Sequence, residues 1–154
     1  MTATNHALTG AVIGLSISNP LVAIPIAFLS HFVLDAIPHY GPREVNIGND
    51  SFRHYLMADV SLCVLLVAIL IFTHPAGWAL APGCAFVATS PDLMWLNDFL
   101  RAQGGRQSVS RKARCWLVRF HVFIQWFERP IGGAVEVAWC AGASLVLAAL
   151  INAR

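Results

Sequence analysis

The ionisable side chains of this chain lie within, or at the ends of, apolar segments long enough to enter a membrane. Ten imidazole and acidic residues share this placement: His6, His31, Asp35, His39, His54, Asp59, Asp92, His121, Glu128 and Glu136. A carboxylate or imidazole in hydrocarbon costs several kcal/mol unless it is paired, hydrated or bound to a metal. Their concentration in such segments predicts a polar functional site inside a bilayer.

The composition favours a membrane protein over a soluble one. Of the 154 residues, 57% are hydrophobic and 12% are charged, and the mean hydropathy is +0.64, which is unusual for a soluble domain. The formal charge of +2 gives no indication of nucleic-acid binding. Four separated cysteines predict neither a disulfide framework nor a thiolate zinc site. The length predicts a single integral membrane domain, residues 1–154.

Helix-breaking residues divide the chain into five apolar segments and one amphipathic stretch. The apolar segments are residues 4–18, 21–37, 54–72, 78–99 and 132–151, and the amphipathic stretch is 115–128. We therefore expect an all-α polytopic membrane protein with about five transmembrane or partly inserted helices and one amphipathic interfacial helix.

The distribution of Lys and Arg predicts the orientation. Positive loops stay in the cytoplasm, and the loop 101–114 is the most basic region of the chain. With this loop inside, alternation puts the turn at 73–77 outside and the N-terminus inside. One layer near the cytoplasmic ends of the helices then contains His6, Asp35, Asp59 and Asp92. The prediction is an integral protein of the bacterial inner membrane whose polar site faces the cytoplasm.

The second segment carries the clearest metal-ligand spacing. His31 and Asp35 are four residues apart, so their side chains share one helix face. His39 follows one turn later, although Pro38 makes that turn irregular. Two imidazoles and a carboxylate along one stripe are typical of a metal site. The alternative is a His–Asp pair that ties this helix to a neighbour by a buried hydrogen bond.

Other residues of the layer can complete such a site, each with a structural alternative. His54 can instead face lipid headgroups, and Asp92 can instead cap a helix that restarts after Pro91. His121, Gln125 and Glu128 share one helical face, which is either part of the site or a solvated surface. The predicted metal ligands are His6, His31, Asp35, His39, His54, Asp92 and His121, and the predicted catalytic residues are Asp35, Asp59 and Glu128.

Imidazole and carboxylate ligands without thiolate indicate a divalent transition metal, with zinc the first expectation. Zinc lowers the pKa of a bound water to around 7. A spare carboxylate then serves as general base. The predicted reaction is hydrolysis of an ester or phosphoester.

Three short motifs carry a resemblance to a known family. They are Asn5-His6-x-x-x-x-Gly10, Ser30-His31-x-x-x-Asp35-x-x-Pro38-His39 and Pro91-Asp92. Together they resemble the small bacterial membrane-bound metal-dependent hydrolases, the LexA-regulated inner-membrane group and its relatives. The resemblance covers roughly the first two thirds of the chain and implies metal ligation by His6, His31, Asp35 and Asp92. It also implies hydrolysis of a membrane lipid or a membrane-associated substrate.

Two other classes of function fit buried His and Asp residues. One is a transporter of divalent cations or protons, and the other is a non-catalytic metal-binding membrane subunit. A transport pathway needs polar groups through the whole thickness of the membrane. Here the outer halves of the predicted helices contain few of them. The one-sided distribution favours a site over a pathway.

Overall fold

A computed structural model describes residues 1–40, 50–95 and 116–153, and all regular secondary structure in these ranges is helical. The prediction of an all-α protein is therefore confirmed. Six α-helices and two 3₁₀ helices follow in the order α1 (Ala3–Ser16), α2 (Pro20–Ala36), α3 (Asp50–Thr73), α4 (Ala81–Thr89), 3₁₀ (Ser90–Trp95), α5 (Trp116–Ile124), 3₁₀ (Pro130–Gly132) and α6 (Gly133–Asn152). The basic loop 101–114, which carries the predicted orientation, lies outside the described residues.

Local sequence accounts for the break between α1 and α2. The side chain of Asn19 accepts a hydrogen bond from the backbone N–H of Leu21 at 3.0 Å, and Pro20 is the first residue of α2. Proline is favoured there because the first helical N–H has no intrahelical partner. At the other end α2 stops at Ala36, shortly before Pro38.

The predicted fourth and amphipathic segments are shorter as α-helices than expected. In residues 78–95, the part of segment 78–99 that the structure describes, the α-helix is α4, which passes into a 3₁₀ helix at Ser90. Pro91 lacks an N–H and cannot continue the α-helical hydrogen-bond ladder. In segment 115–128 the helix ends at Ile124, and a backbone bridge joins Glu128 to His39.

Within the part of the chain that the structure describes, two helices are long and apolar enough to cross a membrane. They are Phe52–Thr73, with a mean hydropathy of 2.6, and Pro130–Asn152, with a mean hydropathy of 2.0. Only 17% and 11% of their apolar windows are buried. At ~1.5 Å per residue, α1 and α4 reach roughly 21 and 14 Å, well short of a hydrocarbon core of about 30 Å. Five full spans are therefore not supported.

Helix α1 is the central helix and packs against α2, α3, α4 and α6. The backbones of α1 and α4 are in direct contact, with no side chains between them at the glycines of α1. A Cβ atom added at Gly14 would lie 2.6 Å from the Cα atom of Ala81, and one added at Gly10 would collide with the carbonyl group of Cys84. Glycines four residues apart permit this close packing in apolar surroundings. Helix α1 consequently carries His6 into the interior of the bundle.

A small apolar cluster fixes α2 against α4. It consists of Ala23, Ala27, Cys84 and Ala88, which are all completely buried. Because these side chains are short, the two backbones lie close together. The carbonyl end of α4 is thereby brought to the face of α2 that carries His31. Helix α5 also contacts α2, and this packing completes the surroundings of the site.

Candidate metal centre

Four predicted ligands come together between α2, α5 and the 3₁₀ helix that follows α4. One ligand atom from each of His31, Asp35, Asp92 and His121 lies within 4.8 Å of the others. The side chains of His31, Asp35 and His121 are completely buried, whereas that of Asp92 is 30% exposed. The group could hold a metal ion, and Asp92 lies on its accessible side.

The distances within the group match those around a single small cation. His31 Nε2 lies 3.1 Å from His121 Nε2, and Asp35 Oδ2 lies 3.3 Å from the first and 2.8 Å from the second. The Oδ1 atom of Asp92 is 3.7 and 3.8 Å from the same two nitrogens. An ion bound tetrahedrally at about 2.0–2.1 Å separates its ligands by roughly 3.3 Å.

The contacts of the Nδ1 atoms of His31 and His121 indicate which ring nitrogen carries the hydrogen. His31 Nδ1 lies 2.8 Å from the carbonyl oxygen of Ala88. A carbonyl only accepts, so Nδ1 carries the hydrogen. His121 Nδ1 similarly faces the thioether sulfur of Met94 at 3.4 Å. In the neutral rings both Nε2 lone pairs are therefore directed at Asp35. Three acceptor atoms that converge in this way require a proton or a cation between them.

His6 approaches the opposite oxygen of Asp35. Its Nε2 atom is 3.1 Å from Asp35 Oδ1, and its ring stacks on that of His31 with centroids 4.0 Å apart. The amino group of Met1 donates to the same oxygen at 2.5 Å. The described structure thus places the predicted ligand His6 behind the group of four, where it orients the carboxylate.

Two residues outside the predicted ligand and catalytic sets also contact the group, and the sequence had put one of them, Gln125, on a face that is either part of the site or a solvated surface. The Nε2 atom of Gln125 lies 3.1 Å from Asp35 Oδ2 and 3.3 Å from His121 Nε2. Met94 accepts from His121 as described above. The four-residue spacing of His121 and Gln125 was the available signal for Gln125. No spacing rule points to Met94, because its contact depends on how the 3₁₀ helix meets α5.

Asp59 lies outside the group and binds the start of α1. Its carboxylate accepts hydrogen bonds from the backbone N–H groups of Ala3 and Thr4, both at 2.9 Å, and from the Thr4 hydroxyl at 2.5 Å. This arrangement caps the N-terminus of the helix, where the backbone dipole favours negative charge. Nothing in these contacts connects Asp59 with the chemistry that the sequence predicted for it.

Three further predicted site residues are also separated from the group. His39 is buried, its Nδ1 atom donates to the carbonyl of Ile37 at 2.9 Å, and its backbone pairs with Glu128. The side chains of Glu128 and His54 are exposed. The break at Pro38 takes His39 off the helical stripe. His54 is five residues from Asp59, about 140° around α3, so the two cannot share a face.

No known protein family, curated protein sequence or solved structure matches this chain. The resemblance to membrane-bound metal-dependent hydrolases therefore stays a prediction. Any functional assignment has to be argued from the group of His31, Asp35, Asp92 and His121.

Proposed function

We propose that this protein is a membrane-embedded, metal-dependent hydrolase that acts on a lipid or membrane-associated ester or phosphoester. The observation that carries the proposal is the convergence of two imidazole lone pairs on a buried carboxylate. Two histidines and one carboxylate are the protein ligands of several zinc hydrolases. Zinc, when bound there, makes a water nucleophilic at neutral pH by lowering its pKa.

The residues divide into holding and reacting groups. His31, His121 and Asp35 would hold an ion, because their three atoms lie within 3.3 Å of one another. Asp92 is partly exposed and its Oδ1 atom lies farther from both ring nitrogens. Its carboxylate would accept the proton of the attacking water, the general-base role that the sequence analysis gave to a spare carboxylate.

The exposed apolar surface supports insertion in a membrane. Val64 on α3 is 64% exposed and Leu145 on α6 is 73% exposed. Their helices are the two that are long enough to cross a bilayer. Surfaces of this kind mark contact with lipid or a partner. We further propose that α1, α2 and α4 insert partly into the membrane beside these two helices. Their insertion would give lipid substrates access to the site.

The orientation in the bacterial inner membrane is part of the same proposal. The basic loop 101–114 predicts that the site faces the cytoplasmic leaflet. Single cysteines at Ser108 and Ala76 test it in a cysteine-free background. Impermeant reagents are expected to label Ser108→Cys only from the cytoplasmic side and Ala76→Cys only from the opposite side. Labelling of both from one side contradicts this orientation.

The enzymatic proposal is tested with protein purified in detergent. Native, metal-stripped and Asp35→Ala protein are incubated with lipid extracts, lipid esters and phosphorylated lipids, and the products are identified by mass spectrometry. We expect turnover only in the native protein and its recovery when zinc is returned to the stripped sample. His74→Asn is the control, because His74 is exposed and its φ of 44° is one that asparagine tolerates.

Two outcomes contradict the hydrolase. The first is that none of the substrates distinguishes native from Asp35→Ala protein. The second is that native protein in liposomes moves divalent cations or protons without hydrolysing lipid, which favours the transport alternative. Metal bound at the site with neither activity favours the non-catalytic subunit.

A further inference from the structure

We infer that the side-chain amide oxygen of Gln125 is a protein ligand of the same metal ion. This inference rests on the metal centre proposed above and adds a residue to it. The Gln125 amide lies 3.1 Å from Asp35 Oδ2 and 3.3 Å from His121 Nε2. These distances, measured from the amide nitrogen, lie in the same range as the 2.8–3.3 Å that separates the ligand atoms of His31, Asp35 and His121. The amide group is therefore near enough to supply one further corner of the same polyhedron.

The two ends of an amide have the same shape and opposite hydrogen-bonding character. Without a cation, the NH₂ end faces Asp35 Oδ2 and His121 Nε2, because both atoms accept hydrogen bonds. A cation that takes up these lone pairs makes the oxygen the favoured end. Half a turn about the terminal bond of Gln125 exchanges the two ends without moving the backbone.

An amide oxygen changes which ions the site accepts. Amide and carboxylate oxygens suit Mn²⁺, whereas imidazole suits zinc, copper, iron and nickel. With Gln125 the ligand atoms are two nitrogens and two oxygens, and Asp92, the proposed general base, lies beside them. The structure thus fits a divalent transition metal that accepts more than four ligands, with a position left for water.

A competing role for Gln125 is purely structural, in which its N–H group orients Asp35 and never touches the ion. The two roles predict different metal affinities for the Gln125→Glu variant. Glutamate of the same length keeps an oxygen at the corner but removes the N–H donor. Gln125→Met keeps the length and removes the oxygen. Gln125→Asp adds the same charge as glutamate on a side chain one carbon shorter, so it is the control for charge alone.

The experiment titrates Co²⁺ and Zn²⁺ into metal-free protein in detergent, with a chelator as competitor and the visible absorption of Co²⁺ as a report of its ligands. We expect Gln125→Met to weaken binding about 10- to 100-fold and to change the Co²⁺ spectrum. Gln125→Glu is expected to bind at least as tightly as native protein and more tightly than Gln125→Asp.

Each other result overturns the inference. Native affinity and an unchanged spectrum in Gln125→Met exclude the ligand role, and so does a Gln125→Glu affinity no better than that of Gln125→Met. If Gln125→Met fails to fold, the Gln125→Glu variant alone decides the test. Metal binding by Gln125→Glu that is weaker than that of native protein then excludes the ligand role. Native protein that binds neither ion removes the metal centre itself, which separates failure of the proposed function from failure of this inference.

Discussion

Two buried carboxylate groups lie on either side of the start of α1, and their surroundings are opposite. Asp59 accepts hydrogen bonds from two backbone N–H groups and one hydroxyl. Asp35 Oδ2 faces the Nε2 atoms of His31 and His121, whose Nδ1 hydrogens are committed elsewhere. Both oxygens of Asp59 therefore receive donors, whereas the Oδ2 atom of Asp35 faces two imidazole nitrogens that carry no hydrogen in the neutral rings.

The different partners of Asp35 and Asp59 show that burial alone does not identify a functional carboxylate. A buried carboxylate is satisfied when backbone donors surround it, and it then acts as a helix cap. A carboxylate that meets the lone pairs of other acceptors needs a proton or a cation between them, because lone pairs repel each other at low dielectric. In the sequence both Asp35 and Asp59 are acids in apolar helices, and the histidine four residues before Asp35 shows a shared helix face but not what the carboxylate meets across the bundle. Only the identity of their partners separates them.

The largest expected effect concerns metal content. Asp35→Asn removes the negative charge that holds the ion, so we expect at least about a 100-fold loss of affinity, beyond the cost of losing an outer-shell partner. Asp59→Asn is the matched control and is expected to retain native metal content. Elemental analysis of both purified variants checks the contrast. Equal loss of metal in both would erase the distinction between the two carboxylates.

The second effect concerns stability. Asp59→Ala leaves the N–H groups of Ala3 and Thr4 without their acceptor, and we expect a loss of about 1–3 kcal/mol in the free energy of unfolding. Thermal unfolding in detergent measures it. Ser61→Ala on the exposed face of α3 is the control, with an expected change within about 0.5 kcal/mol. A native melting temperature for Asp59→Ala would contradict the capping role.

Sequence patterns located most helices, and the predicted metal ligands include all four members of the group, His31, Asp35, Asp92 and His121. The ends of α1, α2, α3 and α6 agree with the predicted segments to within four residues, because Asn19, Pro20 and Pro38 mark breaks chemically. The length of α4 was wrong, since the sequence did not show that Pro91 would end the α-helix rather than only kink it. Spacing correctly grouped His31 with Asp35 on one face, because i and i+4 positions coincide on any helix.

The rest of the site depends on how separate helices are rotated. Asp59 and His121 both lie in apolar or amphipathic segments. The side chain of Asp59 on α3 contacts the first residues of α1, whereas the side chain of His121 on α5 contacts Asp35 on α2. The rotation of each helix about its own axis cannot be predicted from the local sequence pattern. It follows from close packing, such as the contact of Gly14 with Ala81, which depends on residues far apart in the chain.

The smallest expected effect distinguishes charge from hydrogen-bond acceptance. Glu136 resembles Asp59, because its Oε1 atom accepts from the N–H groups of Thr2 at 3.0 Å and Tyr40 at 3.3 Å. A glutamine oxygen accepts the same two bonds. We therefore expect Glu136→Gln to change the free energy of unfolding by less than about 1 kcal/mol, and Glu136→Ala to cost about 1–3 kcal/mol because two donors lose their partner. Unfolding in detergent measures both, with metal content unchanged in each. If Glu136→Gln is as damaging as Glu136→Ala, or if it releases the metal, the charge of Glu136 is needed and the two regions are not separate in function.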